Sequence, residues 1–165
     1  MDTGRQGNVL STCLLVYLFT FLFMTQKYSA KQSVTINAPS FKVWHALVTP
    51  EIIKHYFFGV ETITDWREGS PIIFRGDWEG KPFEDKGKIL KFEPEKLLAT
   101  TYWSAFFGLP DSPENYQRVV YELSPEGKQT VLTITQDDIR TEESRDHTAK
   151  NWEMVLNALK NLLEK

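Results

Sequence analysis

From Glu142 to Lys165 the chain carries no Gly or Pro, and Trp152, Val155, Leu156, Leu159, Leu162 and Leu163 recur three and four residues apart. That spacing stripes one face of a 3.6-residue helix. Lys150, Glu153, Asn157, Lys160 and Glu164 fall mostly on the other side. Thr141 is placed to cap the first turn, where Glu142 and Glu143 suit the helix dipole. A helix this long, apolar on one side only, requires a broad partner surface. Residues 33 to 138 read as the sheet that supplies it.

Ser33 to Asn37 alternates as a short strand, and Ala38-Pro39 ends it. Pro39 starts a helix, and Val43/Leu47 and Trp44/Val48 extend it as i,i+4 pairs over Ser40 to Val48. Thr49-Pro50-Glu51 repeats the start signal for a second short helix, Pro50 to about Phe57, which Gly59 stops. The apolar period then becomes two. Strands are expected at Val60–Thr64, Ile72–Trp78, Phe83–Glu93, Leu97–Ser104, Gln117–Leu123 and Thr130–Gln136. Turn-forming clusters separate them, such as Glu79-Gly80-Lys81-Pro82 and Ser124-Pro125-Glu126-Gly127. Connections this short make antiparallel neighbours. The expected fold is α+β: a curved antiparallel sheet of six to seven strands, two short helices after the first strand, and the long C-terminal helix across the concave face. Ala105 to Tyr116 breaks the pattern, and Phe106 and Phe107 there read either as a lid over a pocket or as a plug at the end of the sheet.

The 165 residues suit one domain with a real core, and 13% of them are Phe, Trp or Tyr, rings that fill a core or line an apolar pocket. A net charge of -3 without a basic run argues against nucleic acid. Cys13 is alone, so no internal disulfide forms. His45, His55 and His147 are scattered and do not resemble a metal site. Residues 1–32 stand apart from the domain at 33–165. Val9 to Met24 is an almost wholly apolar run, with Arg5 before it and Lys27 after it. Sixteen residues fall short of the roughly 20 of a spanning helix and match the core of a signal peptide. Three readings stand: a membrane anchor, a signal peptide, or upstream sequence before a true start at Met24. The last implies a cytoplasmic protein, and the others an anchored or exported one. Tyr28 to Gln32 reads as a polar linker.

One family combines a front of Ile36, Pro39, Val43, Trp44, Ala46, Leu47, Thr49, Pro50 and Glu51 with a back of Asn151, Trp152, Leu156, Leu159 and Leu162. Over Ser33 to Lys165 the chain resembles the domain shared with activators of the heat-shock-protein-90 ATPase, within the START and polyketide-cyclase-like (SRPBCC) superfamily. The resemblance implies a helix-grip fold with an apolar cavity between sheet and helix. It implies little about function, because that scaffold hosts lipid carriers, cyclases, hormone receptors and co-chaperone domains.

In such a fold one face of each strand lines the cavity. Ile72, Phe74 and Trp78 share a face by alternation, as do Val119, Tyr121 and Leu123, and either Tyr102 or Trp103 points inward. The cavity residues expected are Phe58, Phe74, Trp78, Tyr102, Phe106, Phe107, Tyr121 and Trp152, each of which core packing would explain as well. Arg75, Asp77, Glu79, Glu84, His55 and Arg118 are the polar groups within reach of it. Asp77, Glu79, Glu84 and Asp85 cluster about a hairpin turn, where charges are ordinarily solvated. No nucleophile elbow, phosphate loop or Cys/His pair is present, and no cofactor is called for. The leading expectation is a module that binds a small apolar or lipid-like ligand. Its rivals are a cyclase- or hydrolase-type enzyme with a carboxylate facing the cavity, and a co-chaperone-like domain with a filled interior and an exposed apolar or charged patch.

Overall fold

Thr141 Oγ1 accepts from the Ser144 backbone N–H at 3.1 Å and caps the long helix α3, Glu142–Leu163. The computed structural model describes residues 26–165. The run Val9–Met24, and with it the anchor, signal-peptide and late-start readings, lies outside the described residues. Among those described, no helix is long and apolar enough to cross a membrane.

The other elements are β1 (Tyr28–Ile36), α1 (Ser40–Val48), α2 (Pro50–Tyr56), β2 (Glu61–Ile63), β3 (Pro71–Trp78), β4 (Lys81–Glu93), β5 (Leu97–Tyr102), β6 (Gln117–Glu126) and β7 (Gln129–Ile139). The seven strands form one sheet in the order β1-β7-β6-β5-β4-β3-β2. All neighbours are antiparallel. This is the α+β helix-grip, with α3 held in the concave face. β1 begins five residues earlier than the alternation of apolar residues suggests. Tyr28 to Gln32 is strand and not linker, and Ala30 is buried opposite Gln136.

The register puts the start of β1, the β3–β4 hairpin, the β5–β6 connection and the end of β7 at one end of the sheet. The turns after β4 and β6 lie at the other. Gly87 lets β4 and β5 close up, because a Cβ there would stand 1.8 Å from the Thr101 carbonyl oxygen. The core sits between sheet and helices. Val43, Ala46 and Leu47 of α1 and Val155, Leu156 and Leu159 of α3 are buried against Ile36, Ile89, Leu132 and Ile134 of the strands. The Trp44 ring meets Phe92 edge-on at 5.1 Å.

Candidate functional site

Where α3 crosses the sheet, the side chains do not quite close. A cavity of about 30 Å³ remains, walled by Phe57, Thr62, Phe74, Thr100, Tyr121 and Trp152 together with aliphatic core residues. The Phe57 ring, at the end of α2, stacks on Trp152 with centroids 6.1 Å apart and 7° between planes, and meets Phe74 edge-on at 6.1 Å. Tyr121 stands edge-on to Trp152 at 5.7 Å. Below the rings, Trp152 Nε1 donates to Gln136 Oε1 at 2.7 Å, and Gln136 Nε2 donates in turn to Gln117 Oε1. Burial raises the hydroxyl pKa of Tyr121, and burial above all raises that of Tyr56, with the nearby Tyr121 phenol adding to it. Both phenols therefore stay neutral.

Of the eight rings expected at a cavity, Phe74, Tyr121 and Trp152 line this one. Tyr102 stands behind Phe74, edge-on at 6.1 Å, with Phe107 edge-on to it at 5.6 Å. Phe58, Trp78 and Phe106 do not face the interior: they are 66%, 61% and 66% exposed. Trp78 does share a strand face with Phe74, but it lies at the hairpin tip, where the sheet runs past the helix. Phe58 occupies a left-handed corner, φ 52°, and Phe106 packs outside against Phe83 at 5.8 Å. Phe107 is thus half-buried against Tyr102, and Phe106 lies outside the sheet. The segment carrying them is tied down, for Trp103 Nε1 and Asn115 Nδ2 both donate to the Pro110 carbonyl.

The polar residues separate in the same way. Arg75 and Glu84 pair on the surface at 2.8 Å, Asp77 accepts from the Gly80 N–H, and Glu79, His55 and Arg118 are exposed. Asp85 behaves differently from its hairpin neighbours. It is 5% exposed and faces inward, its Oδ2 accepting from the Tyr102 hydroxyl at 2.6 Å. Burial raises its carboxyl pKa, and the Ser104 and Tyr102 hydroxyls offset only part of the rise. Position in the hairpin made it look solvated, whereas the even spacing from Ile89 was the signal that it points in. A wider groove of about 480 Å³ opens on the outer face by Lys88, Thr101 and Tyr116. Its principal charge is already engaged, since Asp111 pairs with Lys86 and accepts from the Tyr116 hydroxyl. Among the described residues no three His, Cys, Asp or Glu side chains gather as a metal site.

The family model described as Activator of Hsp90 ATPase homolog 1-like protein matches residues 37–164. The solution structure of ChR145 from Cytophaga hutchinsonii is 44% identical, covering 83% of this chain and 94% of its own, with a TM-score of 0.72. Two further structures share the fold at lower identity. The Aha1 dimer from Colwellia psychrerythraea is 19% identical over 83% of this chain and 96% of its own, TM-score 0.67. CalU16 from Micromonospora echinospora is 24% identical over 81% and 82%, TM-score 0.63. Comparison with curated proteins gives no match.

Proposed function

The chain belongs to the Activator of Hsp90 ATPase homolog 1-like family, and on that premise we propose that it holds a small apolar or lipid-like ligand between its sheet and α3. One observation carries the reading: Phe57 is a half-buried wall of a mostly apolar cavity. The ring is half-buried, it stacks on Trp152, and it ends a seven-residue helix just before the left-handed pair Phe58–Gly59. A bulky residue at positive φ is costly, and such strain gathers where the backbone must do something other than pack. The resting cavity of about 30 Å³ is too small for a ligand; an apolar cavity of about 150 Å³ is known to take benzene. Swinging Phe57 outward supplies the difference. Titrating the full chain with the apolar fluorophore N-phenyl-1-naphthylamine tests this. Phe57→Ala is expected to bind the probe more tightly than the native protein. Absence of binding by both proteins would sink the reading.

A second reading is favoured by the nearly full interior together with the rings left outside. Phe58, Trp78 and Phe106 are exposed at one end of the sheet, with Phe83 in contact with Phe106. A protein partner of the heat-shock-protein-90 type would dock its own apolar surface there, leaving the cavity closed.

A further inference from the structure

Among the described residues, two buried side-chain atoms have no hydrogen-bond partner, Thr62 Oγ1 and Asp85 Oδ1. Thr62 is 3% exposed and Asp85 5%. Buried polar atoms are nearly always satisfied, so two exceptions require a reason. Their positions are related. Thr62 pairs with Phe74 across β2–β3, and Phe74 pairs with Asp85 across β3–β4. The three residues form one row across the concave face, with an orphan oxygen on each side of an aromatic ring. Thr62 and Phe74 both line the cavity.

We propose that this row recognises the polar ends of the ligand: an apolar, flat body lies over Phe74 and carries a hydroxyl at each end. The chemistry of the two orphans selects that class. Asp85 has one oxygen engaged by Tyr102, with the Ser104 hydroxyl also beside the carboxyl, and a second oxygen that only accepts while the carboxyl is ionised. An anionic head is repelled there, and a hydroxyl donates to it. Thr62 both donates and accepts, so it takes a hydroxyl in either sense. Strands β2 and β4 are two sheet spacings apart, which sets the hydroxyls roughly 10 Å from each other. A single head group does not reach both. The inference rests on the cavity reading above, because the body of the ligand needs the space that Phe57 vacates.

The test compares biphenyl, 4-hydroxybiphenyl and biphenyl-4,4′-diol, a rigid series that differs only in its hydroxyls, for binding to the full chain by isothermal calorimetry. The diol is expected to bind tighter than biphenyl by about tenfold or more, the size of one or two new hydrogen bonds to desolvated groups. Asp85→Asn and Thr62→Val keep the shape of each side chain, and each should lower the diol-to-biphenyl ratio. Equal binding of all three compounds to the native protein overturns the two-ended recognition and leaves the cavity reading standing. Binding of none of them overturns both. A preference for the diol that survives both substitutions also overturns the assignment to this row.

Discussion

The Trp152 indole nitrogen donates to Gln136 Oε1 across 2.7 Å, fastening α3 to β7 by a polar bond inside an otherwise apolar contact. The ring is 9% exposed and touches Phe57 and Tyr121. Trp152→Ala should therefore cost about 3–5 kcal/mol, the range for a buried large-to-small aromatic change. Trp152→Phe keeps most of the ring but leaves Gln136 Oε1 unpaired, which costs about 1–3 kcal/mol. Urea midpoints of the two variants measure both, and near-native stability for either would remove Trp152 from the core.

Gly87 is held by its neighbour across the sheet. Gly87→Ala places a methyl 1.8 Å from the Thr101 carbonyl oxygen, a backbone atom that cannot rotate away. The strand pair must separate, so the loss of stability should reach about 3 kcal/mol or more, at the severe end for one substitution. Thermal unfolding gives the value directly. A mild effect would mean that β4 and β5 are farther apart than this register allows.

Asp85 predicts a pH signature. Burial raises its folded pKa, with Ser104 and Tyr102 countering only in part, while the unfolded carboxyl titrates near its ordinary 3.8. Between those two values the native state holds more protons, so this group's contribution to stability falls as pH rises through the window and is level above it. Asp85→Asn has no such titration. The variant's stability relative to the native protein should rise with pH from about 4 and then stay constant. Denaturant midpoints taken across the acid range check it, and a difference that does not change with pH would contradict the burial of an ionisable group here.

Phe58 is exposed and sits at φ 52°. A left-handed residue with a Cβ costs about 1–2 kcal/mol, so Phe58→Gly should stabilise the fold by about 1 kcal/mol after glycine's greater unfolded entropy is allowed for. Under the second functional reading the same change, combined with Trp78→Ser and Phe106→Ser, should abolish binding to a heat-shock-protein-90-type chaperone in a pull-down with the full chain. Retained binding would exclude those rings as the docking surface.

Much of this architecture is written in local periodicity. The stripe from Trp152 to Leu163 specifies α3, and Thr141 its first turn, because helix spacing and capping are short-range properties. Strand alternation likewise places Phe74 and Tyr121 on the concave face. Alternation reports a face and not a depth, however, so Trp78, on the face of Phe74, could not be recognised as lying beyond the helix. Tyr28 to Gln32 was obscured because its inward positions include a small Ala30 and a polar Gln32, which present no apolar stripe. The burial of Asp85 is masked by chemistry: three solvated acids nearby make a fourth look the same, and only its even spacing from Ile89 marks it in the sequence.

β1 begins at the end of the sheet that carries Phe58, Trp78 and Phe106. Lys27 is paired there with Asp138 at 2.7 Å, and the Tyr28 ring lies 5.7 Å from the Arg145 guanidinium. The last turn of α3 is at the opposite end, where Glu164 accepts from the Asn37 N–H. The domain is thus polar in the sense that a compass needle is. Residues 26 to 28 therefore stand at the aromatic end, and the tip of α3 at the far one.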